Sequence, residues 1–126
     1  MSHAVILFAH GARDPEWANP LRRVQAAMRG QAPDTVVELA FLEFMTPSLS
    51  ECVATLAAKS VDRIVVMPMF IAQGGHLKRD VPHMLAQLKN DLPALSFTLA
   101  PAIGESERVI QAMASAALEV AGSGIA

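Results

Sequence analysis

Ala4-Val5-Ile6-Leu7-Phe8-Ala9 is an unbroken apolar run that stops at His10-Gly11. A strand with one wet face alternates apolar and polar residues. A run this short with no polar residue belongs to a strand covered on both faces, as in parallel sheets. Three similar runs follow: Thr35-Val36-Val37-Glu38-Leu39-Ala40-Phe41, Arg63-Ile64-Val65-Val66-Met67-Pro68-Met69 and Ser96-Phe97-Thr98-Leu99-Ala100. All are rich in β-branched or aromatic residues. Pro68 donates no ladder hydrogen bond, so the third strand is expected to end near it.

Helical patterns separate the runs. Leu21, Val24 and Met28 share one spacing, with Asn19 as N-cap, Pro20 in the first turn and Gly30 as terminator. An earlier start at Asp14-Pro15 would put a kink at Pro20. Leu49, Cys52, Val53 and Leu56 form the second stripe, opened by Thr46-Pro47, with capping-box spacing from Ser48 to Glu51. Val81, Met84, Leu85 and Leu88 form the third, with Pro82 near its start. Val109, Ile110, Met113, Ala117 and Val120 form the fourth. Four strand–helix repeats predict an α/β fold. It is a single three-layer, flavodoxin-like domain over residues 1–126, with a four-stranded parallel sheet in the order 2-1-3-4 and helices on both faces. Small residues over 122–126 predict a frayed tail.

Composition narrows the function. The 126 residues are 52% hydrophobic and 17% charged, which excludes a disordered chain. Ten Lys and Arg against twelve Asp and Glu give a net charge of −2, with no basic excess for nucleic acid. One cysteine, Cys52, excludes an intrachain disulfide framework and fits a reducing cytoplasm. The longest apolar run, Ile64 to Ala72, is half of a membrane span, and Ala4 to Ala9 is too short for a signal sequence. The expectation is a soluble cytoplasmic protein.

Ligands of open parallel sheets bind beyond the carboxyl ends of the strands. Those ends are followed by His10-Gly11-Ala12-Arg13-Asp14, by Leu42-Glu43-Phe44, by Gln73-Gly74-Gly75-His76-Leu77-Lys78-Arg79-Asp80 and by Pro101-Ala102-Ile103-Gly104-Glu105. The topology puts all four on one edge. His10, His76 and Glu43 are suitable ligands for a borderline divalent metal, and three ligands leave positions open. A neutral imidazole also accepts protons. The loop pair Gly74-Gly75 lets backbone approach a large ligand. Arg13, Lys78 and Arg79 can engage carboxylates. Taken singly, His10 also reads as a core histidine and Glu43 as a solvated carboxylate. His3 and His83 carry no site signal, Trp17 packs its loop or stacks on a flat ligand, with packing favoured, Cys52 is a buried small hydrophobe, and the helical methionines are core.

His10-Gly11-Ala12-Arg13-Asp14-Pro15, Glu38-Leu39-Ala40-Phe41-Leu42-Glu43 and Pro68-Met69-Phe70-Ile71-Ala72-Gln73-Gly74-Gly75-His76-Leu77-Lys78-Arg79-Asp80-Val81-Pro82 resemble the CbiX-type sirohydrochlorin chelatases. These are class II, ferrochelatase-like chelatases. The resemblance implies a chelatase-like fold of the short form, working as a homodimer with the macrocycle in a cleft between subunits. It implies insertion of Co²⁺, Ni²⁺ or Fe²⁺, as substrate, into sirohydrochlorin, with no prosthetic group. His10 and His76 match the family's two active-site histidines, and Glu43 its acidic position. In this reading the three hold the metal and one histidine accepts pyrrole protons. Gly11, Ala12, Gly74 and Gly75 approach the ring, Phe70 and Ile71 form an apolar wall, and Arg13, Lys78 and Arg79 meet peripheral carboxylates. Many members have Ser where this chain has Ala12. One alternative is a non-catalytic metal or tetrapyrrole carrier. A response-regulator module is the other, but it needs acidic residues where His10 and Met69 stand.

Overall fold

The computed structural model describes residues 3–122. Strands β1 (His3–Ala9), β2 (Val36–Phe41), β3 (Arg63–Pro68) and β4 (Ser96–Leu99) form one parallel sheet, ordered β2-β1-β3-β4 as expected. Helices α1 (Asn19–Gln31), α2 (Leu49–Ala58), α3 (Gly75–Asp91) and α4 (Glu107–Gly122) alternate with them. β1 pairs with β2 from Ala4↔Val36 to Ala9↔Phe41, and with β3 from His3↔Arg63 to Phe8↔Pro68. β3 ends at Pro68, as the missing N–H requires.

Partners in a parallel pair share a face. Ala4, Ile6 and Phe8 of β1 with Ile64 and Val66 of β3 make the first face, packed against Leu49, Cys52, Val53 and Leu56 of α2 and Val81 and Leu85 of α3. Each fully buried aliphatic or aromatic side chain here contributes about 1.5–3 kcal/mol of transfer free energy. The capping box forms as expected: the Glu51 N–H donates to the Ser48 hydroxyl, and the Ser48 N–H donates to the Glu51 carboxylate at 2.8 Å.

The second face carries Leu7 and Ala9 of β1, Leu39 and Phe41 of β2, and Val65 and Met67 of β3. α1 covers the β1–β2 part through Ala18 and Leu21. Gln25 and Arg29 both donate to the Val37 carbonyl at 2.8 Å, which blunts the free edge of β2. Asn19 is not the N-cap of α1: it is the first helical residue, and Ala18 holds the cap position with no side-chain bond. Asp14 caps a 3-10 turn over Pro15–Ala18, and that turn runs directly into α1. Gly30 does not end the helix, which continues to Gln31, and Val24 faces solvent.

Two helices depart from expectation. α3 begins at Gly75, so His76 to Asp80 are helical rather than loop, and Pro82 lies inside the helix. α4 forms with its apolar stripe intact, yet none of its described residues is buried. Met113 is therefore no core residue, and the sheet has no α4 layer over β3 and β4. Gly122 belongs to α4; residues 123–126 lie outside the described residues. Among the described residues, no helix is long and apolar enough to cross a membrane.

Cys52 is buried as expected. Burial, with the charge of Glu38 adding, pushes its thiol up to about 11. The folded chain thus holds this proton more tightly than the unfolded chain, whose thiol titrates near 8.5. The stability this contributes is complete at neutral pH and is lost as pH rises from about 8.5 toward about 11. Urea midpoints measured across that range should fall less steeply in Cys52→Ala than in the parent chain, and equal slopes would contradict the burial.

Candidate functional site

Backbone bonds tie the connectors together at the carboxyl edge. The Leu42 N–H donates to the Ala9 carbonyl at 2.8 Å, the Glu43 N–H to the His10 carbonyl at 3.0 Å, and the Met69 N–H to the Phe8 carbonyl at 2.7 Å. The ladder thus continues past the ends of the strands and places His10, Glu43 and Phe70 on neighbouring tracks.

His10 is exposed at the end of β1. Its imidazole lies on the Phe70 ring, with centroids 4.4 Å apart and the rings tilted by 43°. Phe70 is only 4% exposed and meets Phe8 edge-on at 6.2 Å. It is therefore a floor beneath His10, not the open wall expected from the sequence. The outer apolar residue of that pair is Ile71, 74% exposed. Gly11 has φ +90°, and a Cβ there would lie 1.9 Å from the Glu43 carbonyl oxygen. Only glycine permits this approach of the two connectors.

The segment after β2 contains a residue to which the sequence assigns no role. Phe44 has φ +67°, in a tight turn closed by the Met45 N–H donating to the Glu43 carbonyl at 2.8 Å. A non-glycine residue held in a sparsely populated conformation costs about 1–3 kcal/mol and clusters at functional sites. The Phe44 side chain is 59% exposed, so burial does not offset that cost. The Arg13 guanidinium lies 5.0 Å from the ring centre, a cation–π contact. Nothing in the residue type announces a positive φ at a phenylalanine. Exposed Phe44 and Ile71 beside His10 offer apolar surface to a flat ligand.

His76 sits in the first turn of α3, and its Nε2 is 3.1 Å from Oδ2 of Asp80, one helical turn on. The pairing follows from the start of α3 at Gly75, which turns the His-x-x-x-Asp spacing into neighbours on one face. A carboxylate accepting from one ring nitrogen leaves the other, Nδ1, free to accept a proton or an ion. Gly74 and Gly75 have open space where a Cβ would stand, and Lys78, Arg79 and Glu43 are exposed. Ala12 is half-buried beside Gly11. Among the described residues, no three His, Cys, Asp or Glu side chains are assembled as a metal-binding group. His10 and Glu43 share a backbone bond, while His76 stands with Asp80. The edge therefore carries two exposed imidazoles on separate connectors.

The family model described as CbiX matches residues 4–120. A sirohydrochlorin cobaltochelatase of Sulfurisphaera tokodaii is 33% identical over 118 residues, 94% of this chain and 93% of that protein. The crystal structure of a CbiX protein of cobalamin biosynthesis from Marinobacter aquaeolei has a TM-score of 0.85 at 28% identity, covering 96% of this chain and 98% of that one. The sirohydrochlorin chelatase SirB of Bacillus subtilis, solved with cobalt, has a TM-score of 0.80 at 21% identity and shares the fold. This chain covers 51% of SirB's length, with 95% of its own residues matched.

Two substitutions separate a positive φ that the fold requires from one that it can lose. Gly11→Ala should lower stability by more than about 1 kcal/mol, because the connector beside Glu43 must move. Phe44→Gly should leave stability within about 1 kcal/mol, since relieved strain offsets the freedom gained by the unfolded chain. Urea unfolding of both measures this. A large loss in Phe44→Gly would show that the ring packs into the fold.

Proposed function

Because the chain belongs to the CbiX family, we propose that it inserts a divalent metal into sirohydrochlorin, Co²⁺ ahead of Ni²⁺ and Fe²⁺. The observation that carries this reading is the pair of exposed imidazoles, each fixed by a neighbour: His10 by the Phe70 ring and His76 by Asp80. Insertion exchanges two pyrrole N–H protons for one M²⁺. His10, His76 and Glu43 hold the arriving ion, and neutral imidazole then takes up protons as the pyrrole nitrogens bind the metal. His76 does so through Nδ1, because Asp80 accepts from Nε2.

Phe44 and Ile71 lie against the macrocycle, with Phe70 acting through His10. Gly11, Ala12, Gly74 and Gly75 admit the ring to the backbone. Arg13, Lys78 and Arg79 pair with its peripheral carboxylates, Arg bidentately and Lys as a point charge. Arg13 is pre-placed by its contact with Phe44. The metal is substrate, so an open ligand set suits its transfer, whereas a closed site would retain the ion. The chain acts as one chelatase-like domain in the cytoplasm, as a homodimer whose second copy supplies the far wall of the cleft. The doubled length of SirB supports that arrangement.

Metal-stripped protein mixed anaerobically with sirohydrochlorin and then Co²⁺ tests the reading through the absorption change of the ring. Insertion should exceed the protein-free rate and fall at least about tenfold in His10→Ala and in His76→Ala, the loss of roughly 1.4 kcal/mol of transition-state stabilisation. Ring binding with no acceleration by any of the three metals would make the protein a carrier and overturn the assignment.

A further inference from the structure

Arg13 and Phe44 stand on the two connectors that carry His10 and Glu43. Those connectors are locked together next to them. The Glu43 N–H donates to the His10 carbonyl at 3.0 Å, and a Cβ on Gly11 would lie 1.9 Å from the Glu43 carbonyl oxygen. The turn at Phe44, φ +67°, leaves this residue 59% exposed. An aromatic ring left in water is a platform for a flat ligand.

In the free chain one face of that ring is taken. The Arg13 guanidinium carbon lies over it, 5.0 Å from the centroid. Arg13 is otherwise uncommitted. Arg22 is tied to the Pro15 carbonyl and to Asn19, and Arg29 to the Val37 carbonyl and to Glu38. Among the described residues Arg13 makes no hydrogen bond or ion pair, and the carboxylate next to it in the chain, Asp14, accepts from the Glu16 N–H instead. Its five N–H donors thus have no anion partner. A cation–π contact at an exposed site is weak, whereas a bidentate guanidinium–carboxylate pair is among the stronger hydrogen-bonded contacts. A carboxylate therefore draws Arg13 off the ring, and an uncharged ligand does not.

We propose that Phe44 and Arg13 together select macrocycles with carboxylates at the rim. Arg13 covers the Phe44 face in the free chain, and a peripheral carboxylate takes the guanidinium away so that the macrocycle lies on the uncovered ring. The ligand thus supplies the group that opens its own platform. A flat ring whose acids are absent or capped must displace Arg13 with nothing to receive it. Stacking alone does not tell one tetrapyrrole from another, because every such ring has an apolar face. Specificity then comes from a cost against the wrong ligand as well as a gain for the right one. The proposal rests on the tetrapyrrole reading above and adds to it a rule for which tetrapyrroles are accepted.

Metal-free binding to the full chain tests this, followed by ring fluorescence. The probes are sirohydrochlorin and its neutral amide, in which every carboxylate is capped. Arg13→Gln should weaken sirohydrochlorin binding about tenfold, the loss of one charge-assisted pair. The same variant should bind the neutral amide about two- to fivefold tighter, because the cation–π contact no longer has to be broken. That gain should vanish when Arg13→Gln is made in a Phe44→Leu background. In the NMR spectrum of the parent chain, the Arg13 δ protons should be shifted upfield by the ring in the free state and return toward ordinary positions when sirohydrochlorin binds. Amide binding that is unchanged or weaker in Arg13→Gln overturns the proposal, and so does a gain that persists without the aromatic ring. An upfield shift that survives sirohydrochlorin binding also overturns it, since Arg13 then stays on Phe44, and the chelatase reading stands after that result. A parent chain that binds neither ring overturns both.

Discussion

β1 is hydrogen-bonded along both edges, to β2 over Ala4–Ala9 and to β3 over His3–Phe8, and its side chains from Ile6 to Ala9 are buried on both faces. A strand so enclosed has one exit, at its carboxyl end. His10 stands there, so the position of its backbone is set by the paired residues Ala4 to Ala9 before it. The connectors after β2 and β3 inherit the same precision, because their first N–H groups donate to Ala9, His10 and Phe8. The ladder of a parallel sheet thus becomes the frame of a site that no single connector could hold in place.

What is built on that frame is ordered at its base and open above. Phe70 is buried and fixes His10; Gly11 allows two backbones to touch; Asp80 fixes His76. Above them, Phe44, Ile71, Arg13, Lys78 and Arg79 face solvent. Among the described residues, no three His, Cys, Asp or Glu side chains close around an ion. The positive φ of Phe44 lies on this open side, and the Arg13 guanidinium stands over its ring.

Much of this is legible in the residues. The runs that form β1 to β4 have little polar interruption to suggest another pairing, and right-handed crossovers leave few strand orders, the observed 2-1-3-4 among them. α2 is fully readable because its cap, its stripe and its burial agree: Ser48 with Glu51, then Leu49, Cys52, Val53 and Leu56. The start of α3 is hidden because Gly74-Gly75 suggests a loop, although Gly74 is the N-cap and Gly75 the first helical residue. With that start, His76 and Asp80 become a pair. Phe70 is hard to place because an aromatic at a strand end does not reveal whether it faces the ligand or supports the residue that does. The stripe of α4 is visible as apolar, but the cover it suggests for its own sheet is absent. Periodicity shows that a helix has a partner and not which partner.

Cobalt X-ray absorption of the protein loaded with Co²⁺ in the absence of tetrapyrrole tests most directly the claim that the edge histidines carry the metal. The account predicts imidazole scattering in the parent chain that is reduced in both His10→Ala and His76→Ala, with oxygen ligands filling the vacated positions. Imidazole scattering unchanged in both variants would place the ion elsewhere and contradict the account.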